Sequence, residues 1–207
     1  MRACVVAWVF LFALVMPDGA RAFSQEAQLA VAPFSQPTSN WELLGGYLPE
    51  DAQEADPAVL GELDKSLEAA LRERGRRGYT TSGETGRCEE LVLSRLSGTQ
   101  VSVLKYWREV GICAGGEYLL VPMLLDWRER IGGDLAVKRP ARVVLDLYLI
   151  NVAEGEIIDR YHFEETQRSL SENLLDLPKF LKRGAQWVTA MELAREALSR
   201  GVEELGL

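Results

Sequence analysis

From Glu117 onward the apolar residues recur at every second position, and this change of period constrains the fold more than any other feature of the chain. Leu119, Val121, Met123, Leu125 and Trp127 are expected on one face of a strand; Pro122, whose nitrogen donates nothing, argues for an edge position or a bulge. Val143, Leu145, Leu147 and Leu149 alternate with Arg142, Val144, Asp146 and Tyr148 in a second strand, and Ile157, Asp159, Tyr161 and Phe163 continue in a third. The link Ala153-Glu154-Gly155 is too short for a crossover, so the last two strands must be antiparallel neighbours. Ile131 to Pro140, with Gly132, Gly133 and Pro140, reads as a loop.

Upstream the pattern is mixed. Gln28 to Phe34 is a short apolar run ended by Pro33, the look of a buried strand. Pro57 suits the first turn of a helix in which Leu60, Leu63, Leu67, Ala70 and Leu71 recur at helical spacing until Gly75 and Gly78. Arg72, Arg74, Arg76 and Arg77 close that helix, where cations meet the negative end of its dipole. Tyr79 to Thr81 favours a brief strand, and Ser82 to Gly86 reads as a turn capping a helix that begins near Arg87 with Glu89 and Glu90 in its first turn. A break at Ser97-Gly98-Thr99 precedes a further helix through Trp107 and Val110. The tail from Leu174 is helical, with Trp187, Ala190, Ala194, Ala197, Leu198, Gly201, Val202 and Leu205 as its apolar stripe. The order implies an α/β (α+β mixed sheet) fold: βαβ-type crossovers, then an antiparallel three-strand meander and a C-terminal helix. Trp107, Trp127 and Trp187 are expected in the core.

The beginning of the chain speaks to compartment. Arg2, an apolar run from Ala3 to Met16 and the small-residue triplet Ala20-Arg21-Ala22 have the order of a secretory signal, residues 1–22, cleaved after Ala22 to leave one domain over residues 23–207. That run makes a helix of about 21 Å against a hydrocarbon core of about 30 Å, so no transmembrane helix is expected after cleavage. Cys4 lies at the start of the run, far upstream of the cut, and leaves with the signal, so no lipid anchor is expected. The net charge of -8 argues against nucleic acid, whose affinity comes from Lys and Arg neutralising phosphates. Cys88 and Cys113 remain as an even pair in an oxidising compartment, either bridged or buried as two thiols.

The strand Leu29-Ala30-Val31-Ala32-Pro33-Phe34, the Gly78-Tyr79 strand, the segment Gly116-Glu117-Tyr118-Leu119-Leu120-Val121-Pro122 and the hairpin from Leu145 to Ile158 around Val152-Ala153-Glu154-Gly155-Glu156 carry a family likeness. Together they resemble the superfamily containing the amino-terminal domain of the TolB translocation protein, the outer-membrane lipoproteins that activate peptidoglycan synthases, and the periplasmic region of the curli secretion pore protein. The resemblance implies an envelope-resident interaction or assembly module without catalysis and without shared functional residues. It departs in one respect, since Phe23 stands where the lipoproteins carry their acylated cysteine.

Candidate chemistry is sparse. His162, the one histidine, is expected to share the polar strand face with Ile158, Arg160 and Glu164; paired with Cys88 or Cys113 it would make a thiol-imidazole nucleophile, against a structural histidine. A single histidine without Cys-x-x-Cys leaves no ordinary zinc set. Ser82-Gly83-Glu84-Thr85-Gly86 lacks the Lys-Ser/Thr of a phosphate loop, and Glu50, Asp51, Glu54 and Asp56 lack the spacing of a calcium loop. No catalytic, cofactor-binding or metal-binding residue is therefore assigned. The long segment 35–56 is the suggestive one: Trp41, Leu44, Tyr47 and Leu48, with Leu43, lie among turn residues and either fold back as a lid or await a partner. The leading expectation is a periplasmic interaction protein docking onto an envelope complex. Its rivals are a ligand-binding protein or enzyme, dependent on His162 or Glu164, with a pocket between segment 35–56 and the sheet, and a subunit self-associating through the edge near Pro122 or the final helix.

Overall fold

The computed structural model describes residues 27–133, 136–166 and 188–207. The proposed signal, Trp187 and the helical tail expected from Leu174, as far as residue 187, lie outside the described residues.

A five-stranded mixed sheet carries the molecule. Strand β1 (Leu29–Val31) lies parallel to both β2 (Tyr79–Thr80) and β3 (Tyr118–Arg128). From β3 the sheet continues antiparallel through β6 (Arg142–Asn151) to β7 (Glu156–Thr166), which is the expected meander and gives the order β2-β1-β3-β6-β7. Helix α1 (Pro57–Glu73) carries the chain from β1 to β2, and α2 (Ser82–Leu96) and α3 (Val103–Ala114) carry it from β2 to β3. Helix α4 (Ala190–Glu204) follows β7.

Both faces of the sheet are covered, which is why β3 and β6 are buried almost end to end. On one face Leu63, Leu67 and Leu71 of α1 and Ala194, Ala197, Leu198 and Val202 of α4 pack on Leu120, Leu124, Leu145, Leu147, Tyr161 and Phe163. On the other, Val92 of α2 and Trp107 and Val110 of α3 pack on Leu119, Val121, Met123, Leu125, Tyr148 and Ile150.

Several expectations need correction. Trp127 is in the core, but on the α1/α4 face rather than with Leu125, because a register shift between Leu124 and Asp126 absorbs one residue. A second shift between Leu149 and Ile150 pairs Leu149 with Asp159 and Ile150 with Ile157, so Ile157 faces α3 while Tyr161 and Phe163 face α4. Pro122 is interior to the sheet. Its carbonyl accepts from the Ser35 amide at 3.2 Å, and its nitrogen points to that same side, where β1 has already ended at Val31, so no ladder bond is lost. The sheet edge expected near Pro122 is not an edge, because β3 lies between β1 and β6, and the apolar stripe of α4 is buried within the chain.

Helix α2 starts at Ser82, five residues before the expected Arg87, because Thr81 and Glu84 form a reciprocal capping box. Ser82 to Gly86 is thus the opening of a helix rather than a turn before one. Arg76 is not an exposed capping charge; it is buried and donates to the Ala27 carbonyl. The expected loop Ile131 to Pro140 contains a separate two-stranded hairpin, β4 (Ile131–Gly133) and β5 (Ala136–Arg139).

Candidate functional site

Residues 35–56 form a strap across the α2/α3 side of the sheet, with a single turn of 3-10 helix at Asn40–Glu42. Turn residues make it irregular, and long-range bonds pin it. Phe34 donates its amide to Asp64 at 2.7 Å, and Ser35 bridges to Met123. Midway, the Tyr148 hydroxyl lies 2.6 Å from the Gly45 carbonyl, and Asn40 Oδ1 accepts from the Leu48 amide at 2.9 Å. At the far end the Gln53 amide donates to Asp126 at 2.8 Å and Asp51 pairs with Arg128 at 2.8 Å.

The strap covers two fully buried carboxylates, Asp126 and Asp146. Arg142 and Arg128 reach Asp126 at 2.9 and 3.1 Å. Asp146 lies 2.9 Å from Arg160 Nη2, 2.7 Å from His162 Nδ1 and 2.9 Å from the Tyr148 hydroxyl. Burial first, and then the Asp146 charge, pushes the Tyr148 phenol well above its usual range. Burial pulls the Arg160 guanidinium down, but the hydrogen bond and charge of Asp146 override it and hold it above its ordinary value. Gly46, at φ 82°, lies under this guanidinium: a Cβ there would stand 2.6 Å from Arg160 Nη2. His162 does share a face with Arg160 and Glu164, and its place is against Asp146. Cys88 and Cys113 are bonded to each other, their Cα atoms 5.6 Å apart, tying α2 to α3 and leaving neither as a thiol for a histidine to activate.

The strap residues singled out in the sequence divide. Leu44 and Leu48 are half-buried against the α2/α3 core, and Leu43 beside them is buried. Trp41 and Tyr47 point outward, 76% and 85% exposed. Leu43, Leu44 and Leu48 fill part of the interval between strap and sheet. A cavity of about 430 Å³ remains between the strap and Leu125 of β3, and a groove of about 790 Å³ lies between the first half of the strap, α2 and the start of α3. Trp41 and Leu93 stand at its rim, Trp107 and Met123 line it from the core, and Glu42 and Glu89 are its carboxylates. Burial pushes the Glu89 carboxyl up, against the pull of the Tyr106 hydroxyl and with added repulsion from Asp64. Asp56 of the acidic run caps α1 through the Ala58 amide. Among the described residues no group of three or more His, Cys, Asp or Glu side chains is placed to hold a metal ion, and no helix is long and apolar enough to cross a membrane.

Sequence reasoning missed Asp126, Asp146 and the groove. A lone aspartate within an otherwise apolar strand run was the available signal for both carboxylates.

No family model matches the chain, and no curated protein matches it. Solved structures do. A point-substituted PelC dodecamer from Paraburkholderia phytofirmans is similar at TM-score 0.50 and 13% identity, over 89% of this chain and 92% of that one. The C-terminal domain of LpoB from Escherichia coli aligns at TM-score 0.38 and 15% identity, over 68% and 83%. The hypothetical protein CT253 from Chlamydia trachomatis aligns at 0.44 and 12%, over 86% and 94%. The fold is of the TolB amino-terminal-like type, as the sequence resemblance implied.

Proposed function

We propose that this chain is a non-catalytic interaction or assembly protein of the cell envelope, exported to the periplasm, that docks onto an envelope complex such as a peptidoglycan synthase, a secretion pore or a Tol-type system. The observation that carries the reading is the presentation of Trp41 and Tyr47, both more than three-quarters exposed, on a strap pinned at both ends and in the middle. Large aromatic side chains carried in solvent on a pinned backbone offer contact area of the composition favoured at interface centres. The fold, shared with a superfamily of envelope modules, supports the same reading. Attachment to the outer membrane would then run through the partner.

The test is affinity capture from the native envelope after mild crosslinking, with a Trp41→Ala/Tyr47→Ala double variant as control. Recovery of a defined envelope complex that the variant loses is expected; recovery of nothing, or equal recovery by both chains, overturns the reading. A second reading, a periplasmic ligand-binding protein or enzyme, draws support from the groove beside the strap. It requires that a small molecule protect the groove and that Glu89→Gln abolish this protection without unfolding the chain.

A further inference from the structure

The groove and the β4–β5 hairpin are complementary, and we propose that the hairpin of one copy docks into the groove of a second copy. The groove is apolar at its rim and floor, through Trp41, Leu93, Trp107 and Met123, and its charged lining residues are both carboxylates, Glu42 and Glu89. Among the described residues no lysine or arginine lines it. An occupant must therefore bring apolar surface together with positive charge.

The hairpin has that chemistry. β4 and β5 pair only with each other among the described residues, outside the five-stranded sheet. A two-stranded hairpin alone is marginal in water and is stabilised by covering one of its faces. Ile131 is 46% exposed and lies opposite Arg139 in the register, with Lys138 exposed beside it. In a chain of net charge -8 this is a local patch of opposite sign, suited to a carboxylate-lined groove. None of these hairpin residues lines the groove of its own chain, so the match is met between molecules. Each copy offers both halves of the contact, which then closes reciprocally in a dimer or repeats head to tail into a ring or filament.

Sedimentation velocity of the purified protein over a concentration series reads the outcome. Species heavier than a monomer are expected to grow with concentration. Ile131→Asp changes an exposed side chain, and its retained thermal midpoint shows that the fold is intact; it should weaken assembly by about tenfold or more, which is about 1.4 kcal/mol. Arg139→Glu and Glu89→Arg should each weaken it alone, and mixing the two variant chains should restore it, because each hairpin then meets a groove of opposite charge. A monomer at every concentration, or assembly that both Ile131→Asp and Arg139→Glu leave intact, overturns the proposal. Capture of an envelope complex by the Ile131→Asp chain keeps the adaptor reading standing when self-association fails, so the two fail separately.

Discussion

Replacing Asp146 with alanine probes the strap and the sheet together. The fully buried carboxylate faces Arg160 at 2.9 Å, His162 at 2.7 Å and the Tyr148 hydroxyl at 2.9 Å. Removing one partner from a buried ion pair costs about 3–5 kcal/mol, mostly through the charge left behind. Here Arg160 and His162 keep 34% and 43% of their side-chain surface in solvent, so part of that is recovered by hydration. We expect a loss of about 2–3 kcal/mol, or roughly 4–12 °C in thermal midpoint for a domain of this size. The same change removes the anchor shared by Tyr148, which bonds the Gly45 carbonyl, and Arg160, which lies beside Gly46, so proteolytic cleavage between Leu43 and Glu50 should quicken. Urea unfolding and limited proteolysis read the two effects. The paired variant Asp146→Leu/Arg160→Leu strands no arginine and should be less damaging than Asp146→Ala. A loss under about 0.5 kcal/mol, an unprotected strap already present in the parent chain, or a paired variant worse than the single one would refute the reasoning.

Other expectations follow from particular contacts. Cys88→Ala/Cys113→Ala opens a bridge spanning 25 residues and should cost about 3–4 kcal/mol in chemical denaturation on the chain-entropy argument; a parent chain with two titratable thiols after non-reducing denaturation would contradict the bridge. Gly201→Ala should cost about 1–3 kcal/mol, since its Cβ would stand 2.6 Å from both Leu147 Cδ1 and Tyr161 Cδ1 where α4 sits on the sheet; an unchanged thermal midpoint argues against that seating. Burial raises the Asp64 carboxyl above its usual range, the Phe34 amide opposing and Glu68 adding to it. The folded chain thus holds this proton to higher pH than the unfolded chain, and its contribution to stability falls as pH rises through the raised value. Asp64→Asn keeps an acceptor for Phe34, so its thermal midpoint should gain on the parent as pH rises from about 4 through the raised value; parallel profiles would count against it.

Much of the fold was legible because it rests on short-range rules. The three-residue link after Val152 forced β6 and β7 to be antiparallel, and the stripes Leu63-Leu67-Leu71 and Ala194-Ala197-Leu198 named the buried faces of α1 and α4. Even the error at α2 was local, since Thr81 and Glu84 spell a capping box that was overlooked. The site was less legible. Trp41, Leu44, Tyr47 and Leu48 could be singled out as a group, but which of them turn outward depends on where Gly45 meets Tyr148, 103 residues away.

The amino-acid order by itself determined the element types outside the β4–β5 hairpin, the antiparallel end of the sheet and the aromatic content of the strap, because period, capping and turn chemistry act within a few residues. Only the tertiary structure decided the rest. A bulge near Leu125 and another near Ile158 reassign the faces of β3 and β7, and no local rule places the extra residue; pairing with β6 does. Asp126 and Asp146 are tolerable in buried strands only because arginines from distant positions, and the strap above them, arrive at hydrogen-bond distance.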